Sequence, residues 1–205
     1  MLPWQQQLCT KGYQIILASA SPRRKELFGS VYPIYEIRVI ETDESYPSTL
    51  PTNEVAVYIA IQKAKAFEGL VSEHEIVVTS DTTVVLGETV YGKPANALEA
   101  LTMLQAFNNS THLVQTAYCI KIGTEYHSYT DNAWVTFNNL DTDELQHYID
   151  TAEPFDKAGA YGIQDWIGQV AVKTIQGSYF TVMGLPVHAL YSDFKHLAAT
   201  LPHLG

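Results

Sequence analysis

One carboxylate inside a β-branched run constrains this chain more than any other feature. Residues 76 to 86 read IVVTSDTTVVL, a composition suited to a pleated, packed strand. Gly87-Glu88 breaks the run before a short return strand through Tyr91. Asp81 lies in its middle, and an ionised carboxylate in a packed strand is costly unless something pairs with it. Asp81 therefore either caps a local turn with Thr82 or Thr83, or stands at a strand end. There it could offer oxygen to a hard cation or accept a proton from water.

A second constraint lies upstream, in LASASPRRKEL at residues 17 to 27. Tyr13 to Leu17 reads as a strand, and Ser21-Pro22 reads as an N-cap followed by proline at the first helical position. Arg23 and Arg24 then fall in the first helical turn, whose unpaired N–H groups already make that end positive. Two cations there call for an anion between them, and phosphate is the better reading than a pair of solvated charges.

Further along, periodicity predicts a helix over 53 to 67 carrying Lys63 and Lys65. Asn96 with Glu99 is a capping box for a helix to about Phe107, with Leu98, Leu101 and Leu104 on one face. Residues 112 to 122 and 126 to 137 read as a hairpin around Gly123, and Asp141 with Glu144 opens another helix. Strands are expected near 170 to 175 and 179 to 183, then a closing helix from Pro186 to about Leu201. This mixed order predicts an α/β fold with a partly antiparallel sheet rather than a regular doubly wound one.

The chain of 205 residues is long enough for one sizeable core, pinched into two lobes at most, and reads as one unit over 1–205. A formal charge of −10 disfavours nucleic acid polymers and anionic membranes as partners. Yet Arg23, Arg24, Lys25, Lys63, Lys65, Lys93 and Lys157 cluster in four short stretches, which suits a small phosphorylated ligand. The start of the chain lacks a basic segment followed by an apolar one, and no stretch is apolar enough to span a bilayer, so a cytoplasmic location is expected. Cys9 and Cys119 are isolated thiols, which fits a reducing compartment and argues against structural zinc.

GETVYGKP, residues 87 to 94, satisfies the GxxxxGK part of a nucleotide-binding loop. Pro94 stands where the magnesium-binding Ser or Thr belongs, and Thr89 to Tyr91 reads as a strand, so the P-loop is rejected. Lys93 remains a phosphate ligand candidate across the hairpin from Asp81. Asp43 and Glu44 in ETDES are a second carboxylate source or a solvated acidic pair. The seven histidines lack metal-binding spacing, and His188 and His196 read as helix-surface or satisfied core residues. In DKAGAYGIQ, residues 156 to 164, small residues surround Tyr161 and end in an amide. The segment is either a tight loop or a slot for a flat ring whose base edge meets Gln164.

Taken in order, LASASPRRKEL, SDTTVVLGETVYGKP, HLVQT at 112 to 116 and EPFDKAGAYGIQ resemble the Maf-like nucleoside triphosphate pyrophosphatases, from Ile16 to about Pro186. FNNSTH at 107 to 112 departs from the Leu-Ser-Gly-Arg or close variant usual there. The resemblance implies a two-lobed Maf/ITPase-like fold with a mixed central sheet and a cleft, often dimeric. It implies hydrolysis between the α and β phosphates of dTTP and UTP, rather than 7-methyl-GTP, with a divalent cation, Mg2+ or Mn2+. By motif position Asp81 is the proton acceptor. Arg23, Thr82 and Gln164 fall at specificity positions, and Arg23, Arg24, Lys63 and Lys93 fall around the phosphates. Glu44 joins Asp81 as a metal partner. Two rival readings are a nucleotide-binding regulator of cell division and a house-cleaning enzyme for modified nucleotides.

Overall fold

The computed structural model describes residues 2–203. Its elements run α1 (Pro3–Thr10), β1 (Gln14–Leu17), α2 (Pro22–Val31), β2 (Glu36–Ile37), α3 (Val55–Lys65), β3 (Glu75–Leu86), β4 (Thr89–Tyr91) and α4 (Ala97–Phe107). They continue with β5 (Thr111–Ile122), β6 (Glu125–Phe137), α5 (Thr142–Ala152), α6 (Trp166–Val170), β7 (Val172–Gln176), α7 (Tyr179–Met183) and α8 (Val187–Thr200). Among the described residues the sheet has seven strands in the order β2-β1-β3-β5-β6-β7, with β4 added to β3. β1 runs parallel to β2 and β3, whereas the β3, β5, β6 and β7 pairings are antiparallel. This is the mixed, partly antiparallel α/β sheet that the element order predicts.

Among the described residues the two larger apolar cores sit at opposite ends of the long strands β3 and β5. Ile76, Val78, Tyr118 and Ile120 join residues of α1, α2 and α8 in one. Val84 and Val114 join Val135, Phe137 and residues of α4 and α5 in the other. Between the lobes the same strands turn polar, with Thr79, Ser80, Asp81, Thr83, Gln115 and Thr116 all buried. Buried polar groups need partners; Thr79, Ser80, Asp81, Thr116 and the Gln115 amide nitrogen find them here, whereas Thr83 Oγ1 and Gln115 Oε1 have none among the described residues.

Local signals set several element ends as the sequence indicates. Asp141 accepts from the Glu144 amide at 2.9 Å while Glu144 accepts from the Asp141 amide at 2.8 Å, a complete capping box. Asn96 accepts from the Glu99 amide at 3.0 Å, but the inner face of α4 is Ala100, Met103, Leu104 and Phe107, with Leu98 exposed. Residues 179 to 183 form α7 instead of the expected strand. At Gly177, φ is +130° and an added Cβ would meet Asn132 O at 2.7 Å, so the chain leaves the sheet there and Ser178 and Gly184 bracket one helical turn. Val170 likewise ends α6, and β7 starts at Val172. Helix α1, without a strong sequence signal, packs against α8, where Lys11 Nζ donates to Ala198 O and Leu201 O at the C-terminal end of that helix.

His112 lies fully buried in the second core, its Nε2 2.8 Å from the Tyr161 hydroxyl and its Nδ1 without a partner among the described residues. Burial pulls its pKa down to about 4, against an ordinary value of about 6.5 in the unfolded chain. Unfolding therefore takes up a proton between those values. The stability held by neutral His112 is complete above the unfolded value and is lost as pH falls toward the folded one. Urea unfolding at pH 7 and pH 5 is expected to show the parent losing about 2 kcal/mol more than His112→Phe. Equal losses would contradict a neutral buried His112.

Candidate active site

Strand β3 has one continuous partner and one interrupted edge. β5 pairs with it from Ile76 to Val85, whereas on the other side β1 pairs only as far as Val78 and β4 only from Val84. Residues 79 to 83 have no strand neighbour on that edge, and Asp81 is at the middle of the gap. β1 feeds through Ala18 to Ser21 into the N-terminus of α2, so the first turn of that helix is delivered to the same opening. A cavity of about 640 Å³ occupies it. Among its lining residues are Asp81, Thr82, Arg23, Arg24, Lys63 and Lys93, together with Glu44 and Gln164.

Charge compensation runs across the α3 face. Lys63 Nζ lies 2.7 Å from Asp81 Oδ1 and 2.7 Å from Glu44 Oε1, and Lys93 Nζ lies 3.3 Å from Glu44 Oε2. Lys63 is in the last turn of α3, where the helix carbonyls favour a cation. Burial alone would raise the Glu44 carboxyl. The hydrogen bond and charge of Lys63, followed by the charge of Lys93, outweigh that and hold it below its ordinary value. Among the described residues no hydrogen bond engages Asp81 Oδ2, and no group of three or more His, Cys, Asp or Glu is placed to hold a metal. The donor set does fit a hard divalent cation, because magnesium is commonly held by one or two carboxylates completed by water and substrate phosphate oxygens. Asp81 and Glu44 share one ammonium already and could share such an ion.

Arg23 and Arg24 part company. Arg23 Nη1 pairs with Asp156 Oδ2 at 3.1 Å. Arg24 turns inward, where Nε donates to Gly184 O at 2.9 Å and Nη2 donates to Thr82 Oγ1 at 3.0 Å. Burial and the neighbouring Arg23 lower the Arg24 pKa, while Asp81 and Glu44 raise it; burial is the largest of these and the net shift is downward. Ser21 occupies the N-cap position, but its hydroxyl does not cap the helix. The first-turn N–H groups beside both arginines thus stay open, as an anion site requires.

The opposite wall is the loop 156 to 164. Gly159 takes φ +70°, its amide donates to Gly92 O at 2.9 Å, and an added Cβ would lie 2.9 Å from Val84 Cγ2. The loop is thereby clamped against β3 and the segment after β4 that carries Lys93. It leaves Gln164 on the cavity with Oε1 buried and, among the described residues, without a hydrogen-bond partner. Thr82 spends its hydrogen bonds on Arg24 and Thr116.

A family model described as Maf-like protein matches residues 14–197. The chain belongs to the Maf-like protein family. Curated relatives named dTTP/UTP pyrophosphatase include one from Parabacteroides distasonis, 43% identical over 91% of this chain and 97% of that protein. Another, from Flavobacterium johnsoniae, is 45% identical over 88% of this chain and 93% of that protein. Among solved structures, the Staphylococcus aureus Ham1 protein is similar over 60% of this chain and 71% of its own, at 14% identity and a TM-score of 0.45.

Within this Maf-like chain, the sequence-predicted residues Arg23, Arg24, Glu44, Lys63, Asp81, Thr82, Lys93 and Gln164 all line one cavity. Asp43 does not; it accepts hydrogen bonds from Ser45. The divergent FNNSTH segment is also outside. Asn108 reaches Asn139 and Leu140, so it ties the end of α4 to the start of α5. His188 and His196 are exposed on α8, and Thr89 to Tyr91 is indeed a strand. Sequence reasoning missed Asp156 as the partner of Arg23 and Gly184 as an anchor of Arg24, since both contacts span more than a hundred residues.

Gly159→Ala is expected to lower stability by about 2 kcal/mol or more, from a left-handed backbone and the contact with Val84. Chemical denaturation checks it, and an unchanged midpoint would contradict the clamp.

Proposed function

We propose that this chain hydrolyses dTTP and UTP at the α–β phosphoanhydride, releasing the nucleoside monophosphate and pyrophosphate. The observation that carries the reading is Asp81 at a sheet gap, ringed by Arg23, Arg24, Lys63 and Lys93 in one cavity. The names of the curated relatives agree with it. A triphosphate resists attack by an oxygen nucleophile until its charge is neutralised and held in place. Arg24, fixed by Gly184 O and Thr82, presents its remaining N–H groups, and the open first turn of α2 adds backbone donors. Lys63 and Lys93 approach from the other side.

Water attacks the α phosphorus, the bond to the bridging oxygen breaks, pyrophosphate leaves, and Asp81 takes the water's proton. A divalent cation, Mg2+ or Mn2+, held by Asp81 and Glu44 would neutralise phosphate charge and acidify water. Gln164 Oε1, buried without a donor, suits the N3–H of uracil or thymine, and its amide N–H suits O4. Arg23 and Thr82 shape the same site, Thr82 through Arg24. The reading includes a single unit over 1–205, free nucleotide as substrate rather than nucleic acid or membrane, a cytoplasmic location and a homodimer. Among the described residues no helix is long and apolar enough to cross a membrane.

Incubation with each triphosphate and magnesium or manganese tests the activity: monophosphate and pyrophosphate are expected from dTTP and UTP. Orthophosphate with the diphosphate would contradict it, and binding without turnover would favour a regulator. Asp81→Asn should lower kcat by about a hundredfold or more while the protein stays folded. Near-parental turnover would remove Asp81 from the chemistry. Gln164→Glu loses the donor to O4 and gains an acceptor for the N4 amine of cytosine. The UTP-to-CTP ratio of kcat/KM should therefore fall. An unchanged ratio in folded protein would mean that Gln164 does not read the base.

A further inference from the structure

Thr116 on β5 is fully buried, does not line the cavity, and still joins the hydrogen bonds that hold Arg24. Its Oγ1 lies 3.0 Å from Thr82 Oγ1 and 2.7 Å from Thr181 O. A carbonyl only accepts, so the single hydroxyl proton of Thr116 goes to Thr181 O. Thr116 must then accept the proton of Thr82, and Thr82 in turn accepts from Arg24 Nη2 at 3.0 Å. The chain has one direction, Arg24 to Thr82 to Thr116 to Thr181 O.

The second anchor of Arg24 depends on the same residue. Thr181 O is in the last turn of α7, which ends at Gly184, and Gly184 O accepts from Arg24 Nε at 2.9 Å. Thr181 Oγ1 is itself tied to Asp131 on β6, and Ser80 Oγ lies 3.4 Å from Gly184 O. Thr116 therefore braces Arg24 twice, by orienting the Thr82 acceptor and by docking the helix end that supplies the Gly184 carbonyl. We infer that Thr116 is a positioning residue that sets the Arg24 guanidinium for its anionic ligand without touching that ligand. The inference rests on the triphosphate-binding role given to Arg24 in the proposed function.

Removing the Thr116 hydroxyl leaves the Thr82 proton without its acceptor and loosens α7. The proton of Thr82 is then free to turn toward Arg24 Nη2, setting donor against donor. Thr116→Val keeps the shape and removes the hydroxyl, Thr116→Ser keeps the hydroxyl, and Thr116→Cys replaces valine if that variant does not fold, because a thiol is a weak partner. Hydrogen exchange of the Arg24 Nε–H, followed by NMR in the nucleotide-free protein, should be about tenfold faster or more in Thr116→Val and near parental in Thr116→Ser. KM for UTP should rise about tenfold in Thr116→Val with kcat within about threefold, again restored by serine. Unchanged Arg24 exchange in Thr116→Val, or a serine variant as impaired as valine, would overturn the inference. Should exchange respond as expected while the parent converts neither UTP nor dTTP, the positioning of Arg24 stands and the proposed function fails.

Discussion

The ion pair between Lys63 and Asp81, at 2.7 Å on an almost fully buried strand, is the interaction on which the rest of the site depends. A lone carboxylate among Thr79, Ser80 and Thr83 would carry a large desolvation cost, which the Lys63 ammonium offsets. Helix α3 meets that cost by aiming its last turn at the gap in the sheet. Thr79 Oγ1, which donates to Ala60 O at 2.6 Å, fixes the same helix one turn earlier. Glu44 and Lys93 then extend the alternation of charge outward to solvent. One carboxylate thereby recruits a helix, a loop and the segment that follows β4.

The gap itself follows from mixed topology. A parallel neighbour arriving from one end of β3 and an antiparallel hairpin returning along the other leave the middle of one edge unpaired. Ligands in open α/β sheets favour such places, where chain directions diverge. Here the two apolar cores grip the ends of β3 and β5, so the polar waist between them can remain open to ligand without weakening either core. Arg24 and Thr82 reach the opening from the α2 face and Lys63 from the α3 face, so ligand in the cavity meets cations from both sides of the sheet.

Much of this was legible in the sequence, for local physical reasons. The β-branched run marked β3, Ser21-Pro22 marked the start of α2, and Asp141 with Glu144 marked the start of α5. The eight candidate residues came from motifs dense in charge, glycine or amide, and all eight face one cavity. What escaped was non-local. YFTVM has strand-like composition, yet the chain turns out of β7 at Gly177, with φ +130°, and Ser178 opens α7. Leu98 matches helical spacing, yet the packed face of α4 lies elsewhere. The contacts of Asp156, Gly184 and Thr116 with Arg23, Arg24 and Thr82 carry no local signal, because they exist only once distant strands and helices have met.

The central claim is that the cavity holds a nucleoside triphosphate with its α phosphorus facing a water beside Asp81. Hydrolysis of UTP in heavy-oxygen water, with both products weighed by mass spectrometry, tests it most directly. The account predicts one heavy oxygen in the UMP phosphate and none in pyrophosphate. Label in pyrophosphate would place the attack on the β phosphorus and contradict the arrangement of Asp81 and the cations around it.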